Sequence, residues 1–166
     1  MRLFRTVCGL CLCILAVLSL GVSSASAASS AAIRAFDDVE AAAKDYSGQS
    51  LVASEFGDAN LTGANFSQAD LRGAVFNGAK LARANLHGVD FSNGIAYITD
   101  FAGADLTDAV LTSAMLLKSS FKEADITGAD FTDAAMDRAQ VLALCKIASG
   151  TNPVTGADTR ESLGCR

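Results

Sequence analysis

The chain has 166 residues and a mass of 17.0 kDa, the size of one ordinary domain. It is 51% hydrophobic and 19% charged, with a net charge of -5, one His, one Pro and no Trp. This composition excludes disorder, the acidity argues against a phosphate-binding surface, and a single imidazole excludes His-rich metal sites.

The first 27 residues read as a leader. Arg2 and Arg5 precede an uncharged apolar stretch from Val7 to Leu20, and Ala25-Ser26-Ala27 supplies the small residues that signal peptidase accepts. The stretch is short for a membrane span, which needs about 20 apolar residues. The expectation is a Sec signal cut after Ala27, with a retained anchor as the alternative. Cleavage removes Cys8, Cys11 and Cys13 together with both arginines. It leaves 11 basic against 18 acidic side chains, a net of -7.

From Ser30 the pattern turns helical. Ile33, Phe36, Val39, Ala43 and Tyr46 lie near helical spacing, Ser30 can cap the start, and Gly48 lies just beyond the end. Too few of these residues are large for a core helix, so residues 28–48 are expected to form a helical cap.

A repeat follows, spanning residues 49–138. Stepping by five from Leu51 to Met136 meets 18 positions, of which 15 are Leu or Phe, and 12 of the positions two residues earlier are Ala. Chance does not hold one frame for ninety residues. Five residues advance an α-helix by about 500°, which winds the large residues around it. In a flat strand an odd step alternates faces. A short extended piece followed by a corner satisfies the pattern, because Ala and Leu/Phe, two apart, then both point inward. Asn or Asp before the centre can bond its own turn, and Gly after it relaxes the corner.

Ala59-Asn60-Leu61-Thr62-Gly63 and Ala104-Asp105-Leu106-Thr107-Asp108 resemble the pentapeptide-repeat family, whose motif is A-(D/N)-L/F-x-x. The resemblance implies an all-β solenoid, a right-handed quadrilateral parallel β-helix with four pentapeptides per coil and about four and a half coils. Gln49, Ser54 and the stretch Gly94-Ile95-Ala96 depart from the motif without breaking its frame. At Ala96 the inward column reads Phe56, Phe76, Ala96, Leu116, Met136, so either the backbone pulls in there or a gap persists.

Residues 139–166 should close the far end. Asp137 to Ala148 reads as a helix, Ser149 to Pro153 ends it, and Asp158 can cap a last short helix toward Leu163. The two cysteines left after leader cleavage, Cys145 and Cys165, are expected to be bonded, since exported chains meet an oxidising compartment. A redox pair of free thiols would favour closer spacing, such as C-x-x-C. The stretches Asn152–Gly156 and Thr159–Leu163 are similar to the tails of exported pentapeptide-repeat proteins of cyanobacteria and chloroplast lumens. That likeness implies the thylakoid lumen or the periplasm.

Little in the chain points to chemistry. His87 is an outward residue, and no nucleophile elbow, phosphate loop or H-E-x-x-H motif occurs, so neither enzymatic activity nor a cofactor is expected. Asp70, Asp90 and Asp130 stack along one face, as do Asn65, Asn85, Asp105 and Asp125 along the next. They fit turn bonds, with a stacked cation site as the alternative. The fourfold register also gathers Val75, Ile95, Tyr97, Ile98, Met115 and Leu117 into one outward apolar patch. Such a patch fits a protein partner or a second copy of the chain, unless a flanking helix folds over it. The expected function is therefore a non-enzymatic interaction module. It binds no nucleic acid and, once the leader is gone, no membrane. The alternatives are a DNA mimic that binds gyrase, as some family members do, and a cation-binding accessory protein.

Overall fold

The computed structural model describes residues 44–166, so the leader and residues 28–43 of the expected N-terminal cap lie outside the described residues. Within them, parallel β-bridges join residues twenty apart, from Asp45 with Asn65 to Met115 with Ala135. A step of twenty is four pentapeptides, so each coil has four sides and each side is a short ladder. The ladder is continuous in both directions. Ile95 N–H donates to Ala74 O of the coil before at 2.9 Å, and Ala96 N–H to Met115 O of the coil after at 2.8 Å. Every five-residue unit of the inner coils therefore pairs one rung with each neighbouring coil, which is why the frame tolerates no insertion.

The corners explain the rest of the motif. The second residue after each central one takes φ near +60°, both where it is Gly and at eleven non-glycine positions from Ala53 to Asp133. An N–H such as that of Ala79 then donates to Phe76 O at 2.9 Å and closes the turn. The large central residues and their Ala partners fill the interior, with Leu81, Phe66, Leu71 and Leu116 fully buried. Within columns the rings stack, Phe56 on Phe76 with centroids 4.7 Å apart and Phe101 on Phe121 at 5.1 Å.

The solenoid starts one pentapeptide earlier than expected. Residues 44–48 are not the end of a helix: Asp45 bridges Asn65, Asp45 Oδ1 accepts from Ser47 N–H, and Gly48 has φ 63°. The physical reason is that Tyr46 stands five before Leu51, at a central position, where its ring stacks on Phe66 at 4.7 Å. Lys44 occupies the slot that Ala usually fills. Its stem is buried and its Nζ donates to Asn60 O at 2.8 Å.

At the other end the frame runs through Met136. α1 (Arg138–Leu144) follows, capped by Asp137, whose N–H donates to Gln140 Oε1 at 2.6 Å. This helix is shorter than the expected 137–148, since residues 145–147 form a turn. α2 (Thr159–Ser162) is capped by Asp158, which accepts from Arg160 and Glu161 N–H. Leu144, Ala148 and Leu163 pack onto the last coil. A disulfide joins Cys145 to Cys165, with their Cα atoms 5.6 Å apart. Asn152 locks the tail. Its buried Nδ2 donates to Asp108, Ala109 and Gly128 carbonyls, and its Oδ1 accepts from Val154 and Thr155 N–H.

The room expected beside Ala96 is occupied. The Phe91 ring lies against Gly94, where any Cβ would collide with it, and tilts against Phe76 at 5.7 Å. Gly94 is thus the seat of a neighbouring ring rather than a gap.

Candidate interaction face

The side of the coils carrying Ala96 differs outside as well as inside. Its rungs are Glu55, Val75, Ile95, Met115 and Ala135, bridged in that order. The residues after the centres are Gly57, Asn77, Tyr97, Leu117 and Asp137, and the corner residues Asp58, Gly78, Ile98 and Lys118 follow. The six patch residues share this one face. Met115 is 42% and Ile98 54% exposed, while Val75, Ile95, Tyr97 and Leu117 are half-buried between neighbouring rungs.

Ile98 is the unusual member. Its φ of 56° is a conformation that a β-branched side chain adopts only against its sterics. Being half exposed, it recovers little of that cost by burial. Replacement by Gly should therefore stabilise the fold by about 1 kcal/mol. Thermal melts test this, and a lower melting temperature would mean that the contacts of Ile98 outweigh its strain.

The face rests on a polar support. In the slot that Ala usually fills, Thr99 and Ser119 carry hydroxyls, and both are buried. Thr99 Oγ1 donates to Phe76 O at 2.7 Å, Thr99 N–H donates to Ser119 Oγ, and that hydroxyl donates to Ala96 O. Gln140 of α1 then donates to both Leu116 O and Ser119 O. These bonds fix the turn that carries Ile98 and couple it to the C-terminal cap. Lys118 completes the face. Its Nζ stands 5.3 Å from the Tyr97 ring centroid, and its N–H donates to Asp137 Oδ2 at 2.8 Å. The sequence reading missed Lys118, Thr99 and Ser119. The fourfold register alone places all three beside the patch.

The acidic columns are committed to their own turns. Asp105, Asp125 and Asp130 each accept from the N–H and hydroxyl of the Thr two residues on. These bonds hold the Asp125 carboxyl below its ordinary pKa. Burial pushes Asp130 up, but the hydrogen bonds from Thr132 and Thr155 together outweigh it and the net direction is down. Hydrogen bonds from Arg72 lower Asp70, and the same guanidinium reaches Asp90 at 3.9 Å. Among the described residues no group of His, Cys, Asp or Glu is arranged to hold a metal ion. His87 Nδ1 lies 2.7 Å from Thr107 Oγ1 on the next coil, an ordinary surface pairing. Among the described residues no helix is long and apolar enough to cross a membrane.

The repeat frame has a counterpart among known proteins. The model of the pentapeptide repeats matches residues 54–93 and 99–139 with eight copies. This chain belongs to the pentapeptide-repeat family. Over 30 residues it is 67% identical to the chloroplast thylakoid lumenal protein TL20.3 of Arabidopsis thaliana, a match covering 18% of this chain and 11% of that relative. The match thus spans about a tenth of that relative's length. Among solved structures it is similar to a pentapeptide repeat protein of the Arabidopsis thaliana thylakoid lumen, 35% identical, covering 78% of this chain and 95% of the other with a TM-score of 0.34. It is also similar to HetL of the cyanobacterium Nostoc, a pentapeptide repeat protein involved in heterocyst differentiation regulation. That pair is 34% identical over 57% of this chain and 42% of the other, with a TM-score of 0.37.

Proposed function

We propose that this protein is a non-enzymatic interaction module, a rigid four-sided right-handed rod that presents the Val75–Ile95–Met115 face to a protein surface in an exported compartment. The observation that carries this reading is Ile98, held exposed and strained beside the exposed Met115 on one face of the coils. Strain that packing does not relieve points to a use outside the fold. Export is supported by the leader-like first 27 residues and by the disulfide, which persists in oxidising compartments. Of the two candidate compartments, the named relative favours the thylakoid lumen over the periplasm.

A photo-crosslinking amino acid at Met115, compared with one at Thr127 on another face, tests the reading in an extract of that compartment. A discrete product from Met115 and none from Thr127 is expected. Identical patterns, or none, overturn it. Inhibition of gyrase supercoiling by the purified protein would favour DNA mimicry instead.

A further inference from the structure

We propose that this face is a self-association surface, on which a second copy docks antiparallel about a two-fold axis lying in the interface along Ile95–Ile98. The inference rests on the preceding reading that the face binds protein, and it names the partner. Its ground is the distribution of charge around the patch. The patch is apolar in the middle, with exposed carboxylates at one end and an exposed ammonium at the other. Glu55 and Asp58, both exposed, stand at the end nearer the chain start. Lys118, also exposed, stands at the other, where the half-buried carboxylate of Asp137 is engaged by the Lys118 N–H.

An axis along the Ile95–Ile98 rung sets each outward column against itself, reversed. Ile95 then meets Ile95 of the second copy, Tyr97 meets Tyr97, and Val75 meets Met115. The corner column gains most from this reversal. The Asp58 carboxylate lies over Gly78, so close that a Cβ there would strike its Oδ1. Reversal about Ile98 puts Lys118 of the second copy opposite Gly78, and thus opposite that carboxylate. Because the interface is isologous, each pair occurs twice. The parallel alternative sets the rung column against the corner column at equal height. It therefore brings Glu55 against Asp58 of the second copy and puts Lys118 on Met115. Only the antiparallel arrangement pairs unlike charges.

The face is small. Five rungs about 4.8 Å apart and some four residues wide give about 250 Å² per copy. That area is well under the size of a stable interface, so the dimer is transient and forms at high local concentration.

Sedimentation velocity of the protein from micromolar to millimolar concentration tests this. Wild type should shift from monomer to dimer, and Ile95→Lys with Met115→Lys should remain monomeric with little change in melting temperature. Asp58→Lys and Lys118→Asp should each weaken the dimer roughly five- to tenfold, since each reverses two surface pairs. The two together should return affinity to within about twofold of wild type, because the reversal pairs these positions with each other. A wild type that stays monomeric, or a double swap no better than either single, overturns the proposal. If wild type is monomeric while the Met115 crosslinker captures a different protein, self-association falls and the interaction reading stands.

Discussion

Leu81→Ala should lower the stability of the solenoid by about 2–5 kcal/mol, with the result in the upper half of that range. Leu81 is fully buried, in a column with Leu61 above and Phe101 below. What sets the cost is how far the surroundings can close on the space left behind. Here they can close little. Lys80 N–H is tied to Ala59 O at 2.9 Å and Leu81 N–H to Asp100 O at 2.8 Å, so the rung is clamped to both neighbouring coils. The adjacent side chains are held by equivalent rungs. A void therefore persists, and the melting temperature should fall on the order of 10 °C. Lys80→Ala, one residue away and exposed, is the control and should stay within about 0.5 kcal/mol of wild type. Chemical denaturation of both variants decides it. A Leu81→Ala cost under about 1 kcal/mol would mean that the coils slide to fill space, contrary to a clamped ladder.

The same clamping explains how much of the fold was legible from the residues. Period and register were readable because each five-residue step must satisfy both an inward pair and a backbone rung. The column Phe56, Phe76, Ala96, Leu116 follows from the sequence once four units per coil are assumed. The start was misjudged at Tyr46. Its spacing from Ile33 and Phe36 suits a helix as well as its spacing from Leu51 suits a coil, and buried Lys44 hides the motif by standing where Ala is usual. A five-residue step backward from Leu51, with Asp45 before the centre and Gly48 after it, was the available signal. The occupant of the space near Ala96 was not readable. The Phe91 ring reaches Gly94 through a rotamer choice that periodicity does not encode.

The candidate face was half legible. The apolar residues followed from register, since all are outward positions on one side. The charges that give the face a direction did not stand out, because Asp58 and Lys118 lie at corners where charged and polar residues of several types recur at φ near +60°. Their significance comes from sharing a column with strained Ile98. The hydroxyls of Thr99 and Ser119 read in sequence as mere departures from Ala. In the structure they tie the Ile98 turn to the carbonyls of Phe76 and Ala96. A local break in the motif is here a support for the outward face, which periodicity alone scores as noise.

Replacing Cys145 and Cys165 by Ser should cost about 3 kcal/mol, and the loss should fall on the C-terminal cap before the coils. The bond closes a loop across a sequence separation of 20. Freeing it restores chain entropy to a tail that has little helix of its own, α2 being four residues long. The tail keeps other anchors. Leu144 and Leu163 pack on the last coil, Ser162 Oγ accepts from Phe131 N–H at 3.0 Å, and Arg160 Nη1 donates to Cys145 O at 2.6 Å. The variant should therefore remain docked at low temperature and lose its cap in a separate early step. Hydrogen exchange reads this directly. Gly128 N–H, bonded to Ser149 O, and Thr159 N–H, bonded to Gly150 O, should exchange on the order of a hundredfold faster, the opening equivalent of that free energy. Leu86 N–H, bonded to Asp105 O in mid-solenoid, should keep its protection. Equal acceleration at all three amides would mean that cap and coils open as one unit, and unchanged exchange at Gly128 would mean that the bond adds nothing to the cap.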